Sequence, residues 1–212
     1  MTALPLLVFD TNILMDVLLG RGGAGAVLLV QLAEQKRIEI VVPEYVLLEF
    51  RGTALRWLRD EMGRVHEVRR AANEWARSQE LDQAAEELKT AVADIETRLK
   101  RLPAEVDVVI MRLRSVARVH PHTVDVHFRG DLRYLEGRPP DRPSDGLKDC
   151  RIYEALLEIA RNDRAMTRPK FLVTRDSDFD IKELVDELDL LGFKIRKDPG
   201  RLYGELRVPS VP

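Results

Sequence analysis

Leu4-Pro5-Leu6-Leu7-Val8-Phe9-Asp10-Thr11-Asn12-Ile13-Leu14-Met15-Asp16 decides the reading of the fold. Its first half is a nearly unbroken apolar run ending in Asp10, the pattern of a strand buried on both faces of a parallel sheet. Thr11 or Asn12 can cap the helix that follows, which would bury Ile13, Leu14, Val17 and Leu18. Gly20-Arg21-Gly22-Gly23 breaks that helix, and a second runs to about Gln35. Ile38 to Val42 make the next strand, closed by Pro43, which suits the first turn of a long helix. This alternation predicts a right-handed parallel α/β fold.

Beyond Arg51 the period changes from strand to helix. Leu55, Leu58, Met62, Val65, Ala72 and Trp75 fall on one helical face, and Leu81, Ala84, Leu88, Ala91, Ile95, Leu99 and Leu102 on another. They predict a long antiparallel helical hairpin inserted between strands, with a third helix through Val106, Val109, Leu113 and Val116. His120 to Arg142 has no clear period and ends in a loop at Pro139-Pro140 and Pro143. Helix resumes near Asp145, with Ile152, Leu156, Ile159 and Ala160 facing inward. Phe171 to Thr174 is a short strand. A helix from about Asp180 to Leu191 and a strand near Phe193 to Ile195 follow. The Pro- and Gly-punctuated tail from Asp198 reads as irregular. The chain is thus one domain, with a core at about 4–53 and 144–196 and an insertion at about 54–143.

Acids recur where such a fold places its ligands, outside the carboxyl ends of the strands. Asp10 ends the first strand, and Asp176 and Asp178 follow the strand at Phe171 to Thr174. Glu49 lies about two turns into the helix after the second strand. Asp149, with Asp145 beside it, belongs to the first turns of a later helix. Two like charges ~4 Å apart repel by about 4 kcal/mol even at an effective dielectric of 20, so such a cluster needs a cation. Oxygen-only ligands select hard ions, Mg²⁺ or Mn²⁺. One or two of these could activate water and stabilise the leaving oxygen of a phosphodiester. Each acid also has a plainer reading as a helix cap. Glu49 is the exception, because an acid in an apolar helical stretch is costly without a partner.

Composition narrows the field. The 212 residues are 45% hydrophobic, enough for a core. No apolar run approaches the ~18 residues of a membrane span. The first residues lack the basic leader of a secretory signal. A single cysteine, Cys150, excludes an internal disulfide and fits a reducing cytosol, so a soluble cytoplasmic protein is expected. With a net charge of -2 the chain is no polycation. Nucleic acid would have to meet a local basic patch or a metal-neutralised carboxylate cluster.

Val8 to Asp16 and Leu172-Val173-Thr174-Arg175-Asp176-Ser177-Asp178-Phe179 closely resemble the first and last motifs of the PIN-domain nucleases. Pro43-Glu44-Tyr45-Val46-Leu47-Leu48-Glu49 is similar to that family's second motif, and Asp149-Cys150-Arg151-Ile152 to its third. The resemblance spans roughly residues 4–53 and 144–196. It implies a Rossmann-like α/β/α sandwich with a short parallel sheet and Mg²⁺- or Mn²⁺-dependent endonuclease activity, usually on single-stranded RNA. Residue by residue, it implies metal binding by Asp10, Asp149 and Asp176, with Glu49 orienting water or metal. Asp178 would be a supplementary ligand, and Asn12 and Thr174 would support the ligands. Many bacterial relatives are toxins held by an antitoxin, which makes an inhibitory protein an expected partner; small toxins lack so long an insertion. A homodimer is the commonest symmetric assembly.

Other readings compete. His120, His122 and His127 could bind a transition metal, although no cysteine accompanies them and their spacing is irregular. Arg112, Arg114, Arg118, Arg129, Arg133, Arg138 and Arg142 could contact phosphates or form a salt-bridged surface. Lys148 could meet the scissile phosphate. Cys150 reads as packed rather than reactive. A haloacid-dehalogenase-type phosphatase also begins with strand-Asp but wants an acid where this chain has Asn12. A degenerate PIN domain acting as an RNA-binding scaffold commonly lacks one or more of the acids, and every expected acid is present here.

Overall fold

The apolar run forms strand β1 (Leu6–Phe9), with all four side chains buried, as a strand covered on both faces requires. The computed structural model describes residues 3–21, 24–77, 81–140, 146–163 and 167–207. Four further strands, β2 (Glu39–Pro43), β3 (Arg118–His120), β4 (Lys170–Val173) and β5 (Phe193–Arg196), join β1 in one all-parallel sheet ordered β3-β2-β1-β4-β5. The chain winds outward from β1 through β2 to β3, then crosses to the other side for β4 and β5. The switch point therefore lies between β1 and β4, where the register pairs Phe9 with Val173. Asp10 and Thr174 leave the sheet side by side at its carboxyl edge. This is the expected Rossmann-like α/β architecture with a short parallel sheet.

Helices α1 (Thr11–Leu19), α2 (Gly25–Glu34), α7 (Gly146–Asn162) and α8 (Lys182–Leu190) fall where the periodicity predicts. Gly20 ends α1 in the left-handed region at φ 63°, which costs glycine least. Three local readings are corrected. Asp10, rather than Thr11 or Asn12, caps α1. Val17 and Leu18 are only half-buried, while Asp16 is buried on the inner face, held by Arg175 at 3.0 Å. The tail from Asp198 is helix α9 (Pro199–Arg207) rather than irregular. Pro199 is harmless in a first turn, and the Asp198 carboxylate accepts from the N–H groups of Gly200 and Arg201. A Cβ on Gly25 would come within 2.4 Å of the Gly200 nitrogen, so glycine there lets α2 and α9 pack backbone to backbone.

The chain divides into two compact units, residues 1–50 with 110–212, and residues 51–109. Residues 110–140 thus belong with the sheet. They supply β3 at its edge and helix α6 (Val124–Leu135), which Arg133 pins through Glu154 on α7 and Glu187 on α8 at 2.8 and 3.0 Å. A Cβ on Gly130 would sit 2.7 Å from the Arg151 Cα, so this glycine sets the close α6–α7 contact.

The second unit holds most of α3 (Glu44–Trp75), all of α4 (Asp82–Leu99) and the start of α5 (Leu102–Val116). The helices are as expected, but the stripe read along α4 is displaced. Leu81 and Ile95 are exposed, as are Ala84 and Ala91, while Ala85, Val92 and Glu96 are buried. Apolar letters alone miss Glu96. Arg69 and Lys100 bond its carboxylate, which removes most of the cost of placing an acid on the packed face. Leu55 and Trp75 on α3 are likewise exposed. Among the described residues, no helix is long and apolar enough to cross a membrane.

Candidate active site

The site begins at Asp10, whose exposure is 6%. Its Oδ1 accepts the Thr11 N–H at 2.7 Å and so caps α1. Its Oδ2 accepts from Asn12 Nδ2 at 2.9 Å and from the Thr174 hydroxyl at 2.6 Å. Asn12 also donates to Thr174 Oγ1 at 3.1 Å and accepts the Arg175 N–H at 3.1 Å. Thr174 in turn accepts the Asp176 N–H at 3.0 Å. Asn12 and Thr174 thus tie the end of β1 to the segment after β4 and fix where both acids stand.

The other carboxylates converge on this pair. Glu49, half-buried on α3, accepts the Thr11 hydroxyl. Asp176 accepts the Asp178 N–H at 2.9 Å and caps the 3₁₀ turn Ser177–Asp180, in which Asp178 and Phe179 are buried. Burial, and then the charges of Asp176, Glu49 and Asp10, push Asp149 up to about 7, with Lys148 pulling the other way. Asp10 is pushed up to about 6, chiefly by burial; the Thr174 and Thr11 hydrogen bonds resist, and the charges of Glu49 and Asp176 add to it. Four acids from β1, α3, α7 and the segment after β4 therefore share one electrostatic neighbourhood. Asp145 lies outside the described residues.

Among the described residues, no three His, Cys, Asp or Glu side chains close into a ready-made metal cage. The donor set nonetheless fits a hard ion. It is all oxygen and carries more negative charge than the neighbouring Lys148 balances. An ion that keeps most of its waters needs only one or two carboxylates directly. The same donors suit zinc or copper poorly.

The structure separates the remaining candidates. His120 is buried with its Nε2 3.2 Å from Glu158, while His122 and His127 share a ring-to-ring hydrogen bond of 3.0 Å. Arg112, Arg118, Arg129, Arg133 and Arg138 each pair with a glutamate, which favours the salt-bridged reading for these five. Arg114 is exposed, and Arg142 lies outside the described residues. Cys150 is fully buried and packed. Sequence reading gave no role to Asp16 or Arg175. Their ion pair braces the segment that carries Asp176 against α1, and the signal was present, an acid on the inward side of an apolar helix.

A family model described as PIN domain matches residues 7–179, spanning all four acids and the segment between them. No curated protein and no solved structure matches the chain.

Proposed function

We propose that this chain, which belongs to the PIN-domain family of nuclease-type proteins, is a Mg²⁺- or Mn²⁺-dependent endoribonuclease acting on single-stranded RNA. The observation that carries the reading is the convergence of Asp10, Glu49, Asp149 and Asp176 at the switch point of a parallel sheet, where burial and then the charges of Glu49 and Asp176 raise Asp10 and Asp149.

Asp10, Asp149 and Asp176 are the residues that would hold the ion, with Asp178 supplementary. A divalent ion bound there supplies positive charge to a phosphodiester and lowers the pKa of water. The chain's own groups do the positioning. Asn12 and Thr174 lock the Asp10 carboxylate, and the Thr11 hydroxyl aims Glu49 to orient water at phosphorus. Burial raises Asp10 to about 6 and Asp149 to about 7, so both keep a proton to higher pH than ordinary carboxylates, and ion binding competes with that protonation and tightens as pH rises. The Asn12 amide, engaged with Asp10 and Thr174, stands where the phosphatase alternative needs an acid, which favours the nuclease. A protein inhibitor of the antitoxin kind and a homodimer belong to the same reading.

End-labelled single-stranded RNA and DNA incubated with Mg²⁺, Mn²⁺ or chelator provide the test, with Asp10→Asn alongside. Metal-dependent RNA cutting that Asp10→Asn abolishes supports the assignment. Cutting that survives the substitution, or a folded protein that neither cuts nor binds metal, overturns it.

A further inference from the structure

A second feature lies on the same edge of the sheet. Past the carboxyl end of β3, a pocket of about 390 Å³ is lined by His122, Thr123, Val124, His127, Phe128 and Asp131. Its walls are mainly apolar, and Phe128 is 66% exposed. The His122 ring lies 4.9 Å from that of Tyr45, and the His122 backbone N–H donates to Glu44 at 3.2 Å. Tyr45 and Glu49 are four residues apart on α3, hence on one face and about 6 Å apart along the axis. Arg151, which donates to Asp131 at 2.7 Å, is two residues beyond Asp149 on α7. The pocket, formed by α6 and the turn before it, is therefore braced by the two helices that carry Glu49 and Asp149.

We propose that this pocket receives one unpaired base of the nucleic-acid substrate, stacked on Phe128 and read at its edge by Asp131, thereby setting the strand across the carboxylates. The inference rests on the nuclease reading above. A base fits the walls better than a phosphate does. Asp131 would repel an anion, and Arg151 is already engaged with it, whereas a carboxylate on an apolar wall accepts from the amino group of a base. Exposed aromatic faces hold single-stranded bases without regard to sequence. The competing occupant is a partner helix laid on the exposed stripe Val124, Phe128, Leu132 and Leu135. The base is favoured because the pocket takes in only the first part of that stripe and rests against the helices that carry Glu49 and Asp149.

The test is fluorescence anisotropy of labelled single-stranded RNA ten-mers in the Asp10→Asn background with Ca²⁺, one abasic nucleotide being walked along the strand. Stacking predicts one position at which base removal weakens binding about 5- to 150-fold, and a similar loss for Phe128→Ala with intact RNA. The two losses should not add, since they delete the same contact. Leu135→Ala, on the stripe but outside the pocket, should leave binding unchanged. Equal effects at every abasic position, no measurable binding, or additive losses overturn the proposal. So does a fall in oligomer mass caused alike by Phe128→Ala and Leu135→Ala. Wild-type cleavage is measured separately. Loss of the nuclease reading shows as no metal-dependent cutting, and failure of the pocket shows as Asp10-dependent cutting with no dependence on Phe128.

Discussion

With metal withheld by chelator, Asp10 should make the folded protein less stable as pH rises, and Asp10→Asn should remove that liability. Its carboxyl is raised from the ordinary 3.8 to about 6, so between those values the folded state binds a proton that the unfolded chain has released. Stability is therefore intact at low pH and lost as pH climbs through this window. About two pH units at 1.36 kcal/mol each amounts to about 3 kcal/mol. The difference in unfolding free energy, variant minus wild type, should thus grow by about 3 kcal/mol between pH 4 and pH 7. Hydrogen bonds lost with the substitution shift this gap by a constant and do not change its slope. His120 and His122, whose pKa values burial lowers, tilt stability the opposite way, but in both proteins equally. Urea titrations in chelator at several pH values would measure the gap, and melting curves should show it as roughly 6–12 °C. Mn²⁺ should then raise the wild-type melting temperature near pH 7 far more than near pH 5. A gap that stays constant within ~0.5 kcal/mol across the range would refute the reasoning.

Single substitutions of Glu49→Gln, Asp149→Asn or Asp176→Asn should each lower metal-dependent cleavage by about 10²–10³-fold in steady-state assays, with folding unchanged by circular dichroism. Thr174→Val, which removes the hydroxyl bridging Asp10 and Asp176, should weaken metal affinity or activity about 10–100-fold by calorimetry and kinetics. Arg133→Met should destabilise by about 1–3 kcal/mol in denaturant titration, because it takes the 2.8 Å partner from the buried Glu154 and leaves it Arg129 at 3.4 Å. Cys150, fully buried, should react with a thiol reagent only after denaturant is added.

The core elements were legible because their signals are local. A short apolar run ending in Asp10 can satisfy little besides a covered parallel strand, and the inward face of α7 follows from spacing. Three of the acids stood out for a related reason, since Asp10 and Asp176 follow strands and Asp149 opens a helix, while Glu49 stood out as an acid inside an apolar helical stretch. The edge strand β3 was not legible. Its three residues, Arg118, Val119 and His120, alternate polar and apolar too briefly to declare a strand, and it exists because β2 offers it a partner. Helix α6 hid for a different reason. Its buried residues include Gly130 and Arg133 while Phe128 and Leu135 face outward, so its polarity runs against the usual pattern. Glu96 shifts the α4 stripe in the same way. In both helices a charge enters the interior by pairing with a residue far along the chain, Arg133 with Glu154 and Glu187 and Glu96 with Arg69, and no short window of sequence contains those partners.

The acids at the site also show why cap and ligand need not be rival readings. A carboxylate offers about four acceptor positions. At Asp10, the described hydrogen bonds place one donor on Oδ1 and two on Oδ2, leaving capacity for a further ligand on Oδ1. The cap is what holds the group still. Thr11 N–H fixes one oxygen and the Asn12–Thr174 bridge the other, so the carboxylate is already oriented before any ion arrives. Asp176 repeats the device, accepting the Asp178 N–H while its own N–H is anchored on Thr174. A pre-set geometry of this kind avoids ordering flexible side chains at the moment of binding. The caps made by Asp10 and Asp176 are therefore compatible with a site, because capping supplies the rigidity that a charge cluster needs.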